Sequence, residues 1–146
     1  MVRIFAIVLS LVAIAVFFYS KTLALVIYVI PVAYLVVNLL ALRQIRGSPA
    51  PGLSERAKNL IERYPHWYTN PNVAKDNGAA ARILAFFGIV FAALGYTYAF
   101  QWASIAGIIA APTMVFVSRK VDPIRYLKEE ADRKAHEEIV SFILRR

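Results

Sequence analysis

Cysteine is absent from this 146-residue sequence, and charged residues are scarce. Without thiols the chain cannot form disulfides, Fe–S clusters or cysteine-ligated zinc sites. Charged residues make up 18% of the sequence, whereas an ordinary soluble domain has about 25%. The charges are also segregated, because residues 4–42 contain only Lys21 and residues 83–117 contain none. A soluble helical bundle needs a charged face on every helix, so this distribution argues against that class.

The sequence also lacks the common signatures of catalysis and of coupled transport. It contains no G-x-x-x-x-G-K-[ST], no G-x-S-x-G and no H-E-x-x-H motif. Its two histidines, His66 and His136, lie in polar segments and are interpreted as solvated side chains. A carrier or pump needs an ionisable residue at membrane depth, which neither apolar block supplies. The sequence therefore predicts a protein that is not an enzyme and holds no metal or cofactor.

Apolar residues are what the sequence has in abundance, at 60% of the chain. About 20 consecutive apolar residues cross a bilayer as a helix, and the two apolar blocks accommodate four such helices, the last of them short. The predicted fold is all-α, a polytopic membrane protein with four transmembrane helices arranged as two tight hairpins. Its parts are hairpin 1 (1–42), a helical loop (43–82), hairpin 2 (83–117) and an amphipathic C-terminal helix (118–146).

The polar loop at 43–82 combines an amphipathic helix with an aromatic and basic patch. Ser54 is a suitable N-cap for a short helix that ends before Pro65. Aromatic residues beside basic ones suit anionic lipid headgroups, although simple anchoring at the membrane interface explains them more readily. The candidate residues for contact with lipid headgroups or a partner are Arg63, His66, Trp67, Tyr68 and Lys75.

Turn and cap signals predict where two further helices begin. Asp76-Asn77-Gly78 is typical of a turn that caps the third transmembrane helix. Asp122-Pro123 predicts the start of a tail helix of five or six turns. Apolar residues then recur every three or four positions and indicate a face for a partner helix. This predicted stripe consists of Ile124, Leu127, Ala131, Ala135, Ile139 and Phe142.

Small residues within the apolar blocks predict close packing between helices. Glycine and alanine let helix backbones approach one another, and a single asparagine in a span is typical of an interhelical hydrogen bond. The candidate helix-packing residues are Gly88, Gly95, Ala103, Gly107, Ala111 and Asn38.

The distribution of basic residues predicts the orientation in the membrane. Seven lysines and arginines lie in 43–82 and eight lie in 118–146, whereas the short connections between spans carry only Lys21. Basic residues accumulate on the cytoplasmic side. We therefore expect a multi-pass protein of the inner (plasma) membrane with its N- and C-termini cytoplasmic. The net charge of +8 is explained by this topology and predicts no nucleic-acid partner.

The functional expectation is a non-catalytic accessory or scaffold subunit of a bacterial inner-membrane complex. Its partners would be membrane lipids and other membrane protein subunits or further copies of itself. It would dock through the small-residue faces of its spans and through its two amphipathic helices. Two alternatives from other classes stay open: a homo-oligomeric small pore, holin-like or lipid-handling protein, and an immunity protein against a membrane-active toxin.

Overall fold

The computed structural model describes residues 1–42 and 51–145, and this part of the chain contains helices and no β-strand. The predicted all-α class is therefore confirmed. A single 3-10 segment, Pro123–Tyr126, precedes the last helix. The helices are α1 (Val2–Phe17), α2 (Lys21–Leu42), α3 (Glu55–Arg63), α4 (Pro65–Thr69), α5 (Pro71–Thr97), α6 (Gln101–Val121) and α7 (Glu130–Leu144).

Local sequence signals explain where the helices of the polar segment begin. The Ser54 side chain accepts a hydrogen bond from the backbone N–H of Ala57 and so caps α3, as predicted. Asn70 caps α5 by accepting a bond from the N–H of Val73, and Pro71 occupies the first helical position. Proline is favoured there because it has no N–H to leave unsatisfied.

Two predicted helix boundaries are wrong. Asp76-Asn77-Gly78 is not a turn but lies inside α5, which starts at Pro71 and continues without interruption to Thr97. The tail helix does not start at Pro123, because that proline opens only the 3-10 segment, and α7 begins at Glu130. Both errors have one cause: proline and asparagine mark helix starts as well as turns, and tertiary contacts select between these outcomes.

The four long helices form a closed ring. Helix α1 packs against α2, α2 against α6, α6 against α5, and α5 against α1. The contact between α5 and α6 is the most extensive, and α2 also reaches across to α5. The connection from α5 to α6 is tight, and Ala99 within it adopts a positive φ of 53°. Helices α3 and α7 pack against each other beside this bundle, and α4 joins them to α5.

Three helices are long and apolar enough to cross a membrane by length and composition. They are Lys21–Ala41, Pro71–Thr97 and Gln101–Val121. Helix α1 is apolar but has only 16 residues, a rise of about 24 Å against a hydrocarbon core of about 30 Å. The first of the four predicted spans, and with it the count of four, therefore stays a prediction.

The bundle interior holds buried alanines together with a few large side chains such as Tyr28 and Phe91, and many large apolar residues lie on the outside. Ala6, Ala13, Ala24 and Ala103 are fully buried between the helices. Large aliphatic and aromatic side chains point outward from α1, α2, α5 and α6 instead. A water-soluble bundle shows the opposite arrangement, with polar residues on its outer faces. The outward-facing set includes Phe5, Leu11, Val26, Ile30, Val37, Phe86, Ile89, Ile105, Ile108 and Ile109.

Close approach of α5 and α6 accounts for the predicted packing glycines. A Cβ atom added to Gly107 would overlap the carbonyl oxygen of Gly88 and the backbone nitrogen of Ala92. A Cβ atom on Gly95 would overlap the backbone nitrogen of Ser104 on the facing helix. At Gly88, an added Cβ atom would lie 3.1 Å from the backbone nitrogen of Ala111. Only glycine lets the two backbones come this close.

Candidate functional site at the polar end of the bundle

Charged side chains collect at one end of the bundle, where α1 begins and α6 ends. Asp76 on α5 accepts a hydrogen bond from the Val2 N–H at 2.5 Å and pairs with the Met1 amino group at 2.6 Å. The Arg3 Nε atom lies 3.4 Å from the same carboxylate. The first N–H groups of a helix lack partners within the helix and favour a negative charge nearby. Asp76 therefore holds the start of α1 against α5.

A second ion pair at this end joins α5 to the end of α6. Arg82 donates from Nη1 to the Asp122 Oδ2 atom at 3.1 Å. The Asp122 side chain is 4% exposed and the Arg82 side chain 29% exposed. Gly78 makes room for this pair, because a Cβ atom at position 78 would overlap the Asp122 side chain. The pair fixes the direction in which the chain leaves α6.

Helices α3 and α7 share a small apolar core of their own. Leu53, Ala57 and Leu60 on the α3 side meet Ala135 and Ile139 on α7, and all five are buried. Within the chain, each of the two predicted amphipathic faces therefore covers part of the other.

Polar links at the start and in the middle of α7 hold it to α3. Arg56 bonds to Glu129, and its Nε atom donates to the Asp132 Oδ1 atom at 2.7 Å. Glu138 accepts two hydrogen bonds from Ser54, one from the backbone N–H and one from the hydroxyl, each at 2.9 Å. These bonds lower the pKa of the Glu138 carboxyl. Glu129, the residue at the N-cap position of α7, is thus bound by α3.

Helix α4 contacts α7 through an aromatic cluster around His136. The Tyr68 hydroxyl lies 3.2 Å from the His136 Nδ1 atom, and the Trp67 ring centroid lies 6.2 Å from that of the imidazole. Burial raises the pKa of Tyr68 to about 12 and lowers the pKa of His136. Both shifts favour the neutral forms, because burial penalises charge. His136 is thus half-buried against α4 and is not the solvated side chain that the sequence suggests.

The predicted aromatic and basic patch is not assembled as one surface. Trp67 is buried in the core between the helices, and Tyr68 is half-buried against His136. Arg63 and Lys75 are exposed. The side chain of His66 lies outside the described residues. Burial of Trp67 removes the central member of the predicted headgroup contact.

The predicted partner stripe is divided between two structural units. Ala135 and Ile139 are buried against α3, with Phe142 half-buried at the same contact. Leu127 packs at the edge of this core, whereas Ile124 packs on the bundle core. Ala131 is exposed. Since α7 begins only at Glu130, the first two members of the stripe are not on the same helix as the rest.

The helix-packing candidates, in contrast, are largely brought together. Gly88, Gly95, Ala103 and Gly107 are buried, and each of the three glycines lies against the backbone of the facing helix, α5 or α6, of the same chain. Asn38 is half-buried on α2, apart from this contact. These small residues therefore stabilise the chain itself.

Sequence reasoning missed the residues that organise the polar end, Asp76, Arg82 and Asp122. Asp122 and Arg82 are 40 positions apart, and Asp76 binds residues more than 70 positions away. The available signal was their position beside the apolar blocks, where an ionisable residue needs a partner. No family model matches the chain, and neither the curated proteins nor the solved structures contain a match.

Proposed function

We propose that this protein is a non-catalytic accessory or scaffold subunit of a bacterial inner-membrane complex. In this proposal α1, α2, α5 and α6 lie in the bilayer, and the polar end with α3, α4 and α7 faces the cytoplasm. The outward-facing apolar residues of the bundle support the bilayer position. The clustering of basic residues at the polar end supports the orientation, since such residues accumulate on the cytoplasmic side.

The end of α7 is the observation that carries the scaffold proposal. Helix α3 has nine residues and α7 has fifteen, so α3 can cover only about 14 Å of a helix that is about 22 Å long. Over its last five residues α7 keeps Val140, Ile143 and Leu144 36%, 41% and 80% exposed. Apolar side chains that stand together in a charged surface are typical of a protein-binding site. We infer that a partner subunit covers them.

The packing within the bundle limits the surfaces to which a partner in the membrane could bind. Because Gly88, Gly95 and Gly107 are used between α5 and α6, they are not available to another subunit. The outer faces of α1 and α2 remain, with Leu11, Ile30 and other large apolar residues exposed. A partner in the bilayer would therefore meet a surface of large side chains.

Site-specific crosslinking in native membranes tests the proposal. A photoreactive amino acid at Ile143 should form a crosslink to one defined membrane protein, identified by mass spectrometry after purification of the full chain. The matched control places the same group at Lys134, which is exposed near the start of α7 and about 14 Å along the helix from Ile143. Equal crosslinking from both positions, or a lone monomer with no crosslinked partner, would contradict the scaffold role.

A pore through a single bundle is not favoured by its interior. Tyr28 is fully buried, donates a hydrogen bond to the Leu84 carbonyl at 2.7 Å and stacks on Phe91 with ring centroids 4.6 Å apart. These rings fill the space between α2 and α5. A homo-oligomeric pore would have to form between copies, and ion flux through liposomes containing the purified protein would reveal it.

A further inference from the structure

The end of α6 and the connection that follows it to α7, together called the elbow (residues 119–129), form a strongly basic surface. Arg119, Lys120, Arg125 and Lys128 are all exposed on it. Among the described residues, none of these four forms an ion pair with a carboxylate. Four cations within ten residues therefore face outward without compensation.

The two acidic residues of the elbow are each held by an arginine from another helix and form no ion pair with the four cations. Asp122 is buried and paired with Arg82 of α5. Glu129 is bound by Arg56 of α3. In sequence the elbow alternates between basic and acidic residues and resembles a mixed surface. In the structure, the basic residues are the charged side chains of the elbow that have no ion-pair partner among the described residues.

The elbow directly borders the outward-facing apolar surface of α6. The Lys120 Nζ atom lies 5.8 Å from the ring centroid of Phe116, and Phe116 itself is exposed. Arg119 stacks over the ring of Tyr126 with its Cζ atom 5.4 Å from the centroid. The surface thus changes from apolar to basic within a single helical turn, which is the order of acyl chains and headgroups in a bilayer leaflet.

We propose that the elbow binds the phosphate groups of anionic phospholipids in the leaflet at the polar end. A lipid fits better than a soluble anion, since its chains would lie along Val115 and Phe116 while its phosphate meets the basic side chains. Each basic residue near an anionic membrane surface contributes about 1 kcal/mol, or about fivefold in affinity. The proposal rests on the bilayer position given above and not on the scaffold role.

Native mass spectrometry of the full-length chain in detergent tests this site. The protein is titrated with phosphatidylglycerol and with phosphatidylcholine of the same acyl chains, and bound lipid is counted. Wild-type protein should bind phosphatidylglycerol more tightly. The double variant R125Q/K128Q should lose about 25-fold in that affinity, because two of the four basic side chains are gone.

The matched control is R63Q/K75Q, which removes the same charge from two exposed residues of the sequence-predicted patch. It should keep phosphatidylglycerol affinity within about twofold of wild type if the elbow is the site, since only elbow residues then contribute. An equal loss in both variants, or no preference for phosphatidylglycerol, would overturn the proposal. Release of the protein from membranes by alkaline carbonate would instead show that the bilayer position is wrong. Unchanged tryptophan fluorescence would show that both variants keep the wild-type fold.

Discussion

Arg82 and Asp122 form one buried ion pair, but replacing either residue should lower the free energy of unfolding by a different amount. Removing one partner from a buried ion pair costs about 3–5 kcal/mol, mostly because the other charge is left uncompensated. The Asp122 side chain is almost wholly enclosed, whereas 29% of the Arg82 side chain is exposed. The cost therefore depends on which charge remains behind.

Arg82→Gln leaves the enclosed carboxylate without its cation, so we expect a loss of about 3 kcal/mol in the free energy of unfolding. Asp122→Asn leaves an arginine whose long stem lets the guanidinium reach water, and the asparagine oxygen still accepts a hydrogen bond. We expect that variant to lose about 1–1.5 kcal/mol. The double variant R82Q/D122N should lose less than the sum of the two, because neither charge is then left unpaired.

Unfolding of the detergent-solubilised chain, followed by tryptophan fluorescence, measures these differences. Trp67 is buried beside α7 and should report the loss of packing. Lys134→Gln is the control, since Lys134 and Glu130 form an ion pair at the surface and its loss should cost less than about 0.5 kcal/mol. Equal losses from R82Q and D122N, or a larger loss from D122N, would refute the reasoning.

Three further predictions concern the cap of α3, the contact between α5 and α6, and His136. Ser54→Ala removes the cap of α3 and one bond to α7, so the free energy of unfolding should fall by about 1 kcal/mol in chemical denaturation; an unchanged value would contradict the role of this hydroxyl. Gly107→Ala should destabilise the chain by about 1–3 kcal/mol by separating α5 and α6, whereas Val115→Ile adds a carbon on an outward face and should be neutral. Because burial holds the pKa of His136 below its ordinary value of 6.5, the unfolded chain binds that proton first, and stability should fall as the pH drops below about 6.5. His136→Gln should flatten stability measured between pH 7.5 and 5, and an unchanged slope would show that another group is responsible.

Local and compositional features were predictable from the sequence because they depend on neighbouring residues. The uncharged blocks predict long apolar helices, and three of them meet the length and composition of a membrane span. Ser54 caps α3 as expected, since capping needs only the residues of the first turn. Gly88, Gly95 and Gly107 predict close packing because a glycine, which has no side chain, lets another helix approach its backbone whichever helix that is.

The partners of these features were decided only by the tertiary structure. Whether a glycine face meets a second protein or the next helix depends on the path of the chain, and here α6 occupies the face of α5. The α7 stripe meets α3 in the same way, over the part of its length that α3 can reach. The tertiary structure also decided the ion pairs. Asp122 and Glu129 pair with arginines more than 35 positions away, which leaves the basic residues of the elbow without acidic partners. By itself the sequence determined which side chains needed a partner. Exposing an apolar side chain to water costs free energy, and so does burying an unpaired charge in protein. The fold decided which partner each one received, because that choice depends on distances between helices that no local pattern contains.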